Sequence, residues 1–129
     1  MFKRCRTLKN IDELKYLDTK DITDFSGMFR ECSSLSDIKS LENWNVSNGT
    51  NFSYMFWECS SLSDIKSLEN WNVSKGTNFS DMFWGCSSLS DISLENWNVS
   101  KGTNFSDMFN GCSSLSNIKS LKTKWNIKF

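Results

Sequence analysis

The chain has 129 residues, with 15 basic and 15 acidic side chains, five cysteines and no histidine. That length suits one small domain, read here as a single repeat domain over 1–129. Neither sign of charge gathers into a long block, so nucleic acid is excluded as an expected partner. The lack of histidine excludes His-dependent serine or cysteine nucleophile chemistry, and no apolar run of bilayer-spanning length predicts membrane insertion.

The N-terminal stretch MFKRCRTLKNIDELK carries basic residues with no apolar run behind them, so it reads neither as a secretory signal nor as an anchor. As given, the chain is expected to be soluble. Its first residues fall partway through a repeating unit, so a place at the cell surface or outside the cell is expected only for a longer protein containing it.

Met-Phe pairs begin at Met1, Met28, Met55, Met82 and Met108, and cysteines follow in phase at Cys5, Cys32, Cys59, Cys86 and Cys112, with steps of 27, 27, 27 and 26. A period in the twenties suits units that bury their apolar edges by stacking on neighbours. The expected architecture is an α/β repeat solenoid of about four coils of 26–27 residues plus a C-terminal remnant. The first coil diverges, with Leu17, Thr19 and Ile22 where the second has Trp44, Val46 and Gly49, as a terminal cap would. Residues 28–54 and 55–81 differ at only three positions: Arg30 against Trp57, Asn48 against Lys75, and Tyr54 against Asp81.

Within the next coil, Gly49 marks a tight turn, as do Gly76 and Gly102, through close approach or positive φ. Phe52, Met55, Phe56 and Cys59, spaced three, one and three, fall on one side of a short helical turn, which Asn51 or Thr50 could cap. Leu62, Ile65 and Leu68 then predict a brief strand, and stacking of the copies predicts a parallel ladder between coils. The fourth coil reads SDISLENW where its neighbours read SDIKSLENW, so it lacks the equivalent of Lys66 and places an exposed bend there. Toward the C-terminus LKTKWNIKF departs from LENWNVS and stops before another Met-Phe pair.

The pattern MFxxCSSLxxI followed by WNVSxGTNFSxMF resembles the BspA-like leucine-rich repeat surface proteins, known also for the mycoplasma-type lipoprotein repeat of unknown function. Cys32, Leu35, Ile38, Trp44, Val46, Phe52, Met55 and Phe56 carry the likeness, and Gly49 and Phe52 stand where that family usually has valine and methionine. The resemblance implies leucine-rich-repeat-like coils and a surface or adhesin-like interaction role.

The cysteines form no CxxC pair, and parallel stacking would set them about one strand spacing, ~4.8 Å, apart rather than converging them on one ion. Buried thiols are the favoured reading, with disulfides between neighbouring coils as the alternative. No metal or other cofactor is expected. The recurring acids Asp37, Asp64, Asp91, Glu42, Glu69 and Glu95 read as a solvated edge or bend rather than a glycosidase pair. Seven Asn-x-Ser/Thr sequons, at Asn45, Asn48, Asn51, Asn72, Asn78, Asn98 and Asn104, read as internal hydrogen-bonding positions.

Function is sought on the outward position shared by Lys3, Arg30, Trp57, Trp84 and Asn110, which the core does not fix. Trp57 and Trp84 beside Arg30, with Tyr54 close by, form a candidate interaction surface, the alternative being partial burial against adjoining loops. Trp44, Trp71, Trp97 and Trp125 recur with the core and read as packing residues. The expected function is a noncatalytic scaffold with a protein partner. The alternatives are a structural or self-associating spacer and a glycan-binding module, the latter less favoured.

Overall fold

The structure is a computed structural model, and it describes residues 7, 11–116 and 118–127. Met1, Phe2, Lys3 and Cys5, which open the expected first coil, lie outside the described residues.

The expected α/β solenoid of leucine-rich-repeat-like coils, with a parallel strand and a helical turn in each, does not form. Among the described residues there is one α-helix, Ile118–Trp125 (α1), three short 3-10 turns at Asp12–Tyr16, Lys39–Leu41 and Lys66–Leu68, and no sheet. Strand pairing is reduced to isolated parallel bridges, Asp24 with Asn51, Asn51 with Asn78, Asn78 with Asn104, and Asp64 with Asp91.

The backbone of the Met-Phe segment explains both failures. In the run 25–32, alternate amides point to the next unit: Phe25 N–H donates to Asn51 O at 2.8 Å, Gly27 N–H to Ser53 O at 2.9 Å, Phe29 N–H to Met55 O at 2.9 Å and Glu31 N–H to Trp57 O at 2.7 Å. The amides between them close turns inside the unit, Arg30 N–H onto Gly27 O and Cys32 N–H onto Phe29 O, both at 3.1 Å. A helix would need every amide for its own i to i−4 ladder, and a strand would need none for local turns. Left-handed residues at Gly27 (φ 62) and Glu31 (φ 62) let one segment do both. The geometry repeats at Tyr54 and Glu58, Asp81 and Gly85, and Asp107 and Gly111, all at positive φ.

Equivalent side chains therefore stack along the molecule. Phe25, Phe52, Phe79 and Phe105 form one column with centroids 5.4–5.5 Å apart. Phe29, Phe56, Phe83 and Phe109 form another, each step 5.5 Å. Leu35, Leu62 and Leu89 and the columns of Met and Cys fill the space between, and six of the phenylalanines are fully buried. Trp44, Trp71 and Trp97 are buried packing residues whose indole N–H groups donate to Leu14, Leu41 and Leu68 carbonyls, each at 2.8 Å. Those bonds satisfy the polar atom that makes a buried indole costly.

Gly49, Gly76 and Gly102 serve close approach, not positive φ. A Cβ at Gly49 would stand 2.5 Å from the Phe52 ring, and one at Gly76 or Gly102 would collide with Phe79 or Phe105 in the same way. The sequon asparagines mostly close local turns: Asn51 Oδ1 accepts from the amide and hydroxyl of Ser53, and Asn78 and Asn104 do the same for Ser80 and Ser106. Asp37 and Asp64 accept the amides of Lys39 and Lys66, fixing the bends that start the two equivalent 3-10 turns. The fourth unit, one residue shorter there, has no 3-10 turn, yet Leu94 stays buried.

The two ends differ from the middle. Thr19 replaces valine in the first unit and, though buried, donates its hydroxyl to Asn45 O at 2.9 Å. At the other end LKTKW, free of the Asn and Asp that favour local side-chain bonds, becomes part of α1. Leu121 and Trp125, one helical turn apart, face the core. Trp125 stacks on Trp97 at 6.2 Å and closes the tryptophan column.

Candidate functional site

The left-handed residue at Tyr54 throws its side chain outward, and the turn Trp57 N–H to Tyr54 O, 3.2 Å, holds Trp57 beside it. The same turn sets Trp84 next to Asp81 and Asn110 next to Asp107. Two outer columns result, Gly27–Tyr54–Asp81–Asp107 and Arg30–Trp57–Trp84–Asn110. All five candidate residues thus lie on one face, with Tyr54 and Asn110 exposed and Arg30, Trp57 and Trp84 half-buried. The half-burial of Trp57 and Trp84 accompanies their stacking on one another within the column.

Trp57 and Trp84 stack with centroids 4.8 Å apart and planes 11° apart. The Arg30 guanidinium lies 4.7 Å from the Trp57 ring centre and 5.3 Å from that of Tyr54. Both faces of Trp57 are therefore covered, while among the described residues Trp84 has an aromatic partner on one face only. Arg30 Nε is buried without a hydrogen-bond partner, and the guanidinium packs against the rings of both Tyr54 and Trp57.

The adjoining column is acidic toward the C-terminal end. Burial, and then the neighbouring Asp107 carboxylate, push the Asp81 carboxyl above its ordinary value; a hydrogen bond from the Tyr54 hydroxyl and the Arg30 charge oppose the shift. Asp81 and Asp107 belong to this site although neither is among the five candidate surface residues to which the sequence points. The signal was present, since Tyr54 against Asp81 is one of the three differences between the second and third units.

The described thiols sit in the packed interior. Cys32, Cys59, Cys86 and Cys112 are buried and not disulfide-bonded. The Sγ–H groups of Cys59, Cys86 and Cys112 donate to the Phe29, Phe56 and Phe83 carbonyls at 3.1–3.2 Å. Burial raises the pKa of Cys59 and Cys86 well above the ordinary thiol value and that of Cys112 to about 11, which suppresses the reactive thiolate. Among the described residues no group of three or more Cys, Asp or Glu could hold a metal ion, and no helix is long and apolar enough to cross a membrane. On another side, Asp37, Glu42, Asp64 and Glu69 with Lys39 and Lys66 line an open groove of about 470 Å³.

The model of the family described as Mycoplasma protein of unknown function, DUF285, matches residues 1–128. The chain belongs to this family. No curated protein and no solved structure matches it. Within this DUF285 chain, Arg30, Tyr54, Trp57, Trp84 and Asp81 form the surface cluster that combines stacked aromatic rings with charge of both signs.

Proposed function

We propose that this chain is a noncatalytic scaffold that presents a protein-interaction surface centred on Arg30, Tyr54, Trp57 and Trp84. The supporting observation is the Arg30–Trp57–Trp84 stack, a rigid set of large side chains held half out of the core at positions the stacking of units does not require. Tryptophan, tyrosine and arginine are the side chains that anchor interfaces most efficiently, and pre-stacking lowers the entropy they lose on binding. The motif likeness to BspA-like surface proteins supports an adhesin-like setting for such a surface.

Glycan binding is less well supported. A sugar needs an open indole face flanked by convergent polar groups, and among the described residues of the stack only the outer face of Trp84 is left, since Arg30 and Trp84 cover both faces of Trp57. Selection of a displayed peptide library against the immobilised protein, in parallel with a glycan panel, tests the reading. Peptides that bind the wild type and not the Trp57→Ala, Trp84→Ala double variant are expected. Selected binding indifferent to both substitutions would refute it.

A second reading, self-association, draws on a different observation. The amides of Phe105, Asp107 and Gly111, whose equivalents in earlier units donate to the next unit, have no acceptor among the described residues. Such a row of donors is a template for a second copy. Light scattering across concentration checks it, and a monomer at every concentration removes it.

A further inference from the structure

We propose that the uncovered face of Trp84 is the seat of an arginine side chain from a protein partner, with Asp107 and Asp81 as its carboxylate partners. The inference rests on the interaction-surface reading above and specifies its chemistry.

Three observations lead there. First, the column Arg30–Trp57–Trp84 reaches Asn110, where a small amide takes the place of a ring. Gly85 N–H bonds to Asn110 O at 2.8 Å, which keeps the two units in register, and the Asn110 side chain turns to Asp107 Oδ1 at 3.5 Å. Among the described residues neither a ring nor a cation covers that side of Trp84.

Second, the chain itself shows what this column accepts. At its other end a guanidinium lies 4.7 Å from the Trp57 ring centre. A planar cation on the far side of Trp84 would bracket the pair of indoles symmetrically, and the ring face attracts cations generally.

Third, two carboxylates stand beside the open face, and Lys122 of α1 lines the pocket that Asp107 and Asn110 share. Asp107 stands at the level of Asn110, and Asp81 at that of Trp84, in the adjoining column. Repulsion between the two carboxylates is one cause of the raised Asp81 pKa, so a cation arriving there would relieve an existing conflict. Guanidinium suits both demands, because its plane stacks while its N–H fork bonds carboxylate oxygens. Lysine could meet only the charge.

The test is a tryptophan-fluorescence titration of the whole chain with Gly-Ser peptides that differ only in carrying arginine, lysine or the neutral isostere citrulline. The arginine peptide is expected to bind at least about tenfold more tightly than the citrulline peptide. Asn110→Trp, which extends an existing stack and so is expected to fold, should cover the face and weaken arginine binding by about tenfold; Asp107→Asn should do the same by removing charge. Near-UV circular dichroism verifies that each variant is folded. Equal binding of arginine and citrulline peptides, or arginine binding indifferent to both substitutions, overturns the proposal. If library peptides depend on Trp57 and Trp84 yet show no preference for arginine, the interaction surface stands and this inference fails. Binding independent of both tryptophans defeats the two together.

Discussion

Trp57 lies between a guanidinium and an indole, 4.7 Å from Arg30 on one side and 4.8 Å from Trp84 on the other. Among the described residues Trp84 has a stacking partner on one side only. The two residues occupy equivalent positions one period apart, so their difference in stacking partners comes from what the column places before and after them, Arg30 and Asn110.

Stability should register that asymmetry. Trp57→Ala removes both a cation–π contact and an aromatic stack and is expected to cost about 2 kcal/mol, against about 1 kcal/mol for Trp84→Ala, which loses one stack. Urea unfolding of the two variants measures the difference. Equal losses would mean that Arg30 contributes nothing to the column.

The left-handed positions make an opposite pair of predictions. Glu58→Gly should stabilise the protein by about 0.5–1 kcal/mol, because a side chain at φ 56 carries a steric cost that glycine avoids. Gly85→Ala should destabilise it by about 1–2 kcal/mol, since φ is 73 and the new Cβ would stand 3.1 Å from Glu58 Cγ. Thermal or urea melts check both signs.

Gly76→Ala should destabilise for a different reason, costing about 1–3 kcal/mol through overpacking rather than through φ. The added methyl would meet the Phe79 ring and lie 3.0 Å from Val73 O. A second change, Phe79→Leu, removes the ring from that contact and should restore part of the loss. An Ala substitution that is neutral would deny the close-approach role of this glycine.

The thiols predict a stability that declines in base. Burial raises the folded pKa of Cys59, Cys86 and Cys112 above the ordinary 9.0, so above about pH 9 the unfolded chain releases protons that the folded chain keeps. The folded state then holds more protons, and stability must fall as pH rises from there, the Cys112 contribution ending near pH 11. Each thiol in that window contributes a slope of about 1.4 kcal/mol per pH unit. Cys86→Ala, compared with the wild type by unfolding at pH 8 to 10, should show the shallower decline. Identical slopes would contradict a protonated buried thiol.

Much of the inward architecture was legible in the sequence, and the backbone was not. Phe52, Met55, Phe56 and Cys59 are all fully buried, as their phase implies. Their three, one, three spacing also matches a helical face, and nothing in the side chains tells that face apart from a run of turns whose alternate amides bond the next unit. The distinction lies in left-handed residues, and only Gly27, Gly85 and Gly111 advertise it; Glu31, Tyr54, Glu58, Asp81 and Asp107 adopt the same backbone without glycine. The parallel strand failed for a related reason, since inter-unit bonds persist while local turns interrupt them and leave single bridges. The candidate surface was readable from differences between units. Arg30 against Trp57 and Tyr54 against Asp81 both lie on it, while Asn48 against Lys75 pairs on another edge, Lys75 Nζ to Asn48 Oδ1 at 2.9 Å. That Asp107 joins the site follows from register between units, which side-chain identity alone does not reveal.

Whether binding resides on the Arg30–Trp57–Trp84 face is decided by an affinity map of a selected peptide binder. Arg30→Ala, Tyr54→Ala, Trp57→Ala and Trp84→Ala would be compared by titration with Glu42→Ala and Lys66→Ala, which alter the polar groove elsewhere. A loss of about tenfold or more is expected for at least Trp57→Ala and Trp84→Ala, and less than about twofold for the groove variants. Losses confined to Glu42→Ala and Lys66→Ala, with the tryptophan variants binding as the wild type does, would contradict binding on that face.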